Sequence, residues 1–372
     1  MEHRTSFWGT AVQDGGAAPG GVAPPPREAV LSIAPSASSD ASASDDLLRT
    51  RLEAFLTARS FGLDDLVEET DQGHGEPVIA VAAGSVLAGF GTHKSDLDLL
   101  VLVDNDRVTR MPITSHRFGT LVDVTVRAAA PAKAAAEKLT TTDWPTLDRV
   151  DNAGWNHHRR SLNTTSRMAL GLPLKGSEDW LAWQRGLRGP WLGRVLHRWW
   201  VAESVRMRTA ARWLAPANPA LALLRARDAV LHALHARATE AGQWYFNAKW
   251  LPEKLRVLDD GDGLAKVTAL LAGRVTLDTA LSWADDLLGA VGRWDAAVHW
   301  APGVSTWPVD TGTVVDRWGI RAVQTPLSGL PAAPGDGAVW TGPADAPPPE
   351  VRDLFAHDML WLGVAPAVKE AP

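Results

Sequence analysis

Hydrophobic and polar positions change period several times along the chain, and each change marks an expected element. From Asp45 to Phe61 the apolar residues Leu47, Leu48, Leu52, Phe55 and Leu56 recur at helical spacing, with Ser44-Asp45 as a cap. Three strand patterns follow. Val78–Ala83 is a continuous apolar run ending at a Gly-Ser pair, Leu97–Val103 is rich in apolar and β-branched residues, and Leu121–Arg127 alternates apolar with polar. Beyond Trp191 the helical period returns, placing Leu192, Val195, Leu196, Trp199, Ala202 and Glu203 on one stripe. A further helix starts after Asn218-Pro219 and aligns Leu224, Leu231 and Leu234, and others are expected over 250–258, 263–272 and 277–296.

These patterns predict an α/β domain, a mixed sheet with flanking helices, over 46–150, followed by an all-α helical domain over 151–300. Residues 1–45 are Ala, Ser, Gly and Pro-rich without apolar periodicity and read as a disordered leader. That segment lacks the apolar core of a secretory signal, which makes cytoplasmic residence the expectation. From 301 to 372 the chain is punctuated by Pro and Gly and reads as a tail or small appended segment, with Trp307, Trp318, Trp340 and Trp361 as anchors. No repeat of fixed period occurs.

Composition narrows the chemistry. The chain has 372 residues, with 37 Lys+Arg against 43 Asp+Glu and a net charge of −6, which argues against attachment to nucleic acid by bulk charge. The absence of cysteine removes disulfides, thiolate zinc sites and cysteine nucleophiles together. No apolar stretch reaches membrane-spanning length. Tryptophan is unusually frequent, 18 residues beside 7 Phe and 1 Tyr, so aromatic surfaces are mostly indole.

The informative segment runs from Gly84-Ser85 to Asp96-Leu97-Asp98. A Gly-Ser turn after a strand exposes backbone N–H groups able to hold a phosphate. Asp96 and Asp98 stand two residues apart at the start of a strand, so their carboxylates project from one face. Carboxylates that close repel unless a cation lies between them, and Mg²⁺ is the usual one. Asp123, between Val122 and Val124 of the next strand run, can join them. Three carboxylates beside a phosphate-binding turn are what two-metal phosphoryl or nucleotidyl transfer needs.

In this order, Gly84-Ser85, Asp96-x-Asp98 and Asp123, the sequence resembles the polymerase-β-like nucleotidyltransferases. The spacing is most similar to the branch that adenylylates aminoglycosides and related small molecules. Ala169–Gly176 resembles the linker after the catalytic domain of such enzymes, and Trp244–Leu251 resembles a Lys-Trp helix start in their helical domains. The resemblance covers roughly 45–300. It implies two Mg²⁺ ions on Asp96, Asp98 and Asp123, an NTP (ATP first) as co-substrate, and a small-molecule hydroxyl as acceptor. Lys249 would reach the triphosphate across the cleft. Relatives often carry Arg where Ala88 stands, so phosphate charge falls here to Gly84, Ser85, Lys94, Ser95 or a group from the second domain.

For several of these residues a structural role stands beside the functional one. Ser85 can equally cap a helix, and Lys94 can simply balance the acids. Glu203, an acid on an otherwise apolar stripe, is a candidate general base, as is Asp228; each can instead pair with Arg206 or Arg227. His157–Arg160 reads as a solvated run. Trp199, Trp200, Trp213, Trp244 and Trp250 have core spacing, though an indole in a cleft can stack a nucleobase. The expected assembly is a monomer or homodimer. Two alternatives remain open: a nucleotidyltransferase that adenylylates a protein, and a non-catalytic nucleotide-binding protein.

Overall fold

The computed structural model describes residues 41–70, 76–108, 111–116, 119–289, 291–327 and 337–367, and the expected disordered leader therefore lies almost wholly outside the described residues. Helix α1 (Ala41–Thr57) begins ahead of the Ser44-Asp45 pair, and α2 (Leu63–Glu69) follows. A five-stranded mixed sheet comes next, built from β1 (Pro77–Ala83), β2 (Leu97–Val103), β3 (Met111–Ser115), β4 (Val122–Ala128) and β5 (Leu172–Gly176). Its order is β3-β4-β2-β1-β5, with β2 and β4 parallel and the other neighbours antiparallel.

The continuous apolar runs of β1 and β2 follow from burial on both faces. Ala80, Ala82, Leu97, Leu99 and Val101 face α1 and α2, where Leu52, Phe55, Leu56 and Leu66 close one core. Ile79, Val81, Leu100 and Leu102 face the other way, into a larger core shared with α3 (Ala129–Thr141), α4 (Asn152–Leu170) and α6 (Pro190–Leu214).

The stretch Ala169–Gly176, where a linker was the expectation, is the end of α4 and strand β5, and it brings the chain back to the sheet. Asp151 caps α4 by accepting from the Gly154 N–H (2.8 Å). The helix ends at Gly171, where a Cβ would lie 2.3 Å from Val81 Cγ1 and 2.5 Å from the Ala82 carbonyl; only glycine lets the helix end land on β1. The orphan carbonyls there are taken by Gln184 of α5 (Glu178–Gly186), which donates to Met168 (2.9 Å) and Gly171 (3.2 Å), and by Arg188, which donates to Ala169 (2.8 Å) and Gly171 (2.9 Å).

Helices α7 (Pro219–Glu240), α8 (Leu251–Val257), α9 (Gly261–Leu271) and α10 (Leu277–Leu288) follow, and Asn218 caps α7 as its sequence implies. The helix expected over 277–296 stops at Leu288. Gly289 and Gly292 both take positive φ, and the two-residue period of Trp294–Trp300 then forms β6. The segment read as a tail is folded as well. β7 (Val304–Val309), β8 (Gly312–Arg317) and β9 (Arg321–Thr325) form a meander, while β10 (Trp340–Pro343) and β11 (Leu360–Pro366) flank β6, with α11 (Pro349–Ala356) between them. Trp340 and Trp361 pack on the large core as anchors, whereas Trp307 and Trp318 are exposed at 50% and 62%.

Much of the indole content is accounted for in that core. Trp144 lies 4.9 Å from Trp155 and 5.1 Å from Trp199, and Trp155 lies 5.5 Å from Trp199, in a three-ring cluster joining α4 to α6. No described helix is long and apolar enough to cross a membrane.

Candidate active site

Parallel pairing of β2 with β4 sets Asp98 directly beside Asp123, in register and therefore on one sheet face. On the other side of β2 the antiparallel register sets Asp98 beside Ala83, so the chain enters the Gly84-Ser85 turn against the carboxylate. Gly84 has φ +94°, and a Cβ there would lie 2.2 Å from Asp98 Oδ2. This glycine is required twice, for its left-handed backbone and for the space its missing side chain leaves to Asp98. Hydrogen bonds from Ala88 to Gly84 O (3.1 Å) and from Phe90 to Ser85 O (2.9 Å) close the turn, and Ser85 is buried within it.

Asp96 lies one residue before β2 and is exposed at the mouth of the site. Asp123 is half-buried and accepts from Thr114 Oγ1 at 3.0 Å. Burial pushes the Asp98 carboxyl above its ordinary pKa; Arg167 opposes this, Asp123 and Asp96 add to it, and Lys249 opposes it. The structure thus brings Asp96, Asp98, Asp123, Gly84 and Lys249 into one electrostatic neighbourhood. Ser95 and Lys94 are placed in the adjoining turn. The Ser95 hydroxyl accepts from the Thr92 N–H (2.9 Å) and so braces the turn, while Lys94 is exposed.

Arg167 has no counterpart among the residues expected from sequence. Its place one turn before Gly171 carries it over the sheet, where Nη2 lies 2.9 Å from Asp98 Oδ1. The pair is ionic without hydrogen-bond geometry, and Arg167 Nε is also buried without a hydrogen-bond partner among the described residues. Guanidinium N–H groups of Arg167 thus lie beside the Asp98 carboxylate. No local pattern announces this contact, because it joins residues far apart in sequence.

The second wall is the segment before α8. A short 3-10 turn over Ala248–Trp250 is capped by Asn247, whose side chain accepts from the Lys249 N–H (3.1 Å). His235 Nε2 donates to the Ala248 carbonyl (3.2 Å), and the fully buried Lys254 ammonium donates to the Tyr245 carbonyl. Tyr245, Phe246 and Asn247 line a cavity of about 140 Å³ together with Asp98, Asn163 and Arg167. Burial, and then the Asp98 charge, push the Tyr245 phenol well up, so it stays protonated and able to donate. Phe90 bridges the two walls, its ring 5.9 Å from Trp250 in a stacked arrangement and 6.0 Å from Tyr245. Tyr245 was visible in sequence only as the sole tyrosine, four residues before Lys249.

Glu203 is held elsewhere. It is buried on α6 and accepts from Trp155 Nε1 (2.8 Å) and from Arg206 Nε and Nη2 (3.2 and 2.8 Å). Burial pushes this carboxyl up, but Arg206, His232 and the Trp155 N–H outweigh it and hold it below the usual range. Nothing in these contacts points toward Asp98. Asp228, the other acid considered, lies 3.6 Å from Arg225 and is 43% exposed at its side chain.

Among the described residues no group of three or more His, Asp or Glu gathers closely enough to enclose a metal ion. Mg²⁺ does not require such a cage. It is ordinarily held by one or two carboxylates together with substrate phosphates and retained waters. Two carboxylates in register, Asp98 and Asp123, match that donor set.

No protein-family model and no curated protein matches the chain. Among solved structures it is similar to a nucleotidyltransferase-like protein from Exiguobacterium sibiricum 255-15, with 18% identity and a TM-score of 0.35 over 60% of this chain and 71% of that one. A likeness of this degree establishes no family, and the functional reading rests on the site itself.

Proposed function

We propose that the chain is a Mg²⁺-dependent nucleotidyltransferase that moves a nucleoside monophosphate, AMP from ATP in the first instance, to a hydroxyl of a small molecule and releases pyrophosphate. The observation that carries this reading is the in-register pair Asp98 and Asp123 with Gly84 packed against the Asp98 carboxylate. Asp98 and Asp123 would hold Mg²⁺, which when bound supplies Lewis-acid activation and neutralises phosphate charge, and Asp96 would add negative charge nearby. The Gly84-Ser85 turn and Lys249 are the groups assigned to the phosphates. Arg167 turns its free donors from Asp98 to a phosphate oxygen as nucleotide enters, exchanging one anionic partner for another. Tyr245, kept protonated, orients the bound substrates from the opposite wall. Two ions rather than one, the acceptor and the base remain part of the proposal.

One observation favours a second reading, a nucleotide-binding protein without catalysis: Arg167 already sits on Asp98, the place a cation would take. A single experiment separates the two. Pyrophosphate release is measured with each of the four NTPs and Mg²⁺ against a panel of hydroxylated metabolites and antibiotics. Release that depends on one acceptor class supports transfer. Saturable ATP binding without release for any acceptor supports the second reading. Label from ATP appearing on a protein instead would redirect the acceptor class to polypeptides.

A further inference from the structure

A second cavity, of about 670 Å³, opens between α6, the start of α7 and the folded C-terminal strands. Its volume lies in the range of small-molecule sites. Asn152, at the start of α4, lines this cavity, while Arg167 serves the first site from the other end of the same helix. At 1.5 Å per residue the two are about 22 Å apart, so this is a different site from the carboxylate cluster.

Four guanidiniums line it, Arg206, Arg225, Arg317 and Arg321, against the single carboxylate of Asp358. Two are held in place by neighbouring groups. Arg206 is held by Glu203 and lies over the rings of Trp155 (5.0 Å) and Trp361 (4.7 Å). Arg317 pairs with Asp358 and donates from Nε to the Pro302 carbonyl (3.2 Å). Their side chains are only 13% and 14% exposed, so they reach the cavity as preorganised groups. Arg225 is 3.6 Å from Asp228, and Arg321 donates to the His357 carbonyl (3.1 Å) without a carboxylate partner among the described residues. Met207, Leu214, Leu360 and Trp361 supply apolar lining beside these donors.

Planar forks beside apolar side chains recognise a planar-bodied molecule carrying an oxyanion, and several guanidiniums lining one cavity favour the double charge of a phosphate over a lone carboxylate. We propose that this cavity binds a phosphate monoester of about mononucleotide size, with the phosphate among Arg225, Arg317 and Arg321 and the ring against the apolar lining. This site does not depend on the transfer reaction proposed for the first one.

Calorimetric titration of the full chain with AMP and with adenosine, without Mg²⁺, tests it. AMP is expected to bind and adenosine not to. Reversing the two more exposed arginines, in Arg225→Glu with Arg321→Glu, should weaken AMP at least about tenfold while leaving the thermal midpoint near that of the parent. Arg321→Ala alone should weaken it less. AMP binding that survives the double reversal, that disappears in Arg167→Ala instead, or that is absent from the parent overturns the proposal.

Discussion

Replacing Gly84 by alanine probes the contact on which the site is built. The added Cβ would lie 2.2 Å from Asp98 Oδ2, 3.0 Å from its Cγ and 3.1 Å from its Cβ, whereas ordinary contact begins near 3.4 Å. The carboxylate must therefore retreat by about 1.2 Å, or the turn must move by as much. A φ of +94° adds a backbone cost of about 1–2 kcal/mol for any residue with a Cβ. Misplacement of a reacting group by about 1 Å costs on the order of 10²-fold in rate. The expected outcome for Gly84→Ala is thus a fall of about 100-fold in kcat/KM for pyrophosphate release, with a stability loss of about 1–3 kcal/mol by urea titration. Gly186→Ala, where a Cβ meets nothing within 4 Å, serves as the control. A thermodynamic cycle with Asp98→Ala isolates the contact, because the cost of the added methyl should shrink to its backbone part once the carboxylate is gone. Turnover of Gly84→Ala equal to the parent, or a cycle with no coupling, would refute the reasoning.

Three other predictions follow from named contacts. Glu203→Gln breaks a buried ion pair with Arg206 and should cost about 3–5 kcal/mol in chemical denaturation while turnover per folded molecule is kept; loss of turnover at unchanged stability would restore Glu203 as a base. Arg167→Ala should raise the KM for the nucleotide more than it lowers kcat, and Arg167→Lys should rescue it only in part, as initial-rate kinetics would reveal. Burial lowers the Lys254 pKa to about 7 from an unfolded value of 10.5, so above pH 7 the unfolded chain holds the proton more firmly and stability rises with pH up to about 10.5. The stability difference between the parent and Lys254→Met should accordingly grow in the parent's favour across that window, by on the order of a few kcal/mol, and a flat difference would contradict the buried charge.

How much of this was legible in the sequence depended on the range of each interaction. The run Leu97–Val103 forms β2 over those same residues, because period and β-branching are local signals. The Gly84-Ser85 turn and the neighbouring acids were legible for the same reason. The alternation of its own strand marked Asp123 as a candidate, and the parallel register of β4 on β2 put it on the face that Asp98 occupies. Strand β5 was hidden within a Pro- and Lys-containing stretch whose identity comes from Gly171 landing on β1. The β7–β11 segment was read as a tail because its Pro and Gly residues punctuate short strands as readily as they punctuate coil. Glu203 shows the opposite error source. An acid on an apolar stripe signals a buried partner; Arg206, three residues on, was legible as that partner, whereas Trp155, 48 residues earlier in the chain, was not. Arg167 and Tyr245, which complete the site, lie on elements whose approach to Asp98 no local pattern encodes.

The central claim, nucleotidyl transfer at Asp98 and Asp123, is tested most directly by following ATP labelled at the α-phosphate with Mg²⁺ and the acceptor panel. Labelled AMP should appear on an acceptor hydroxyl in step with pyrophosphate release, and both should vanish in Asp98→Asn and in Asp123→Asn while those variants stay folded. Transfer that persists in these variants, or ATP that binds and never yields pyrophosphate with any acceptor, would contradict it.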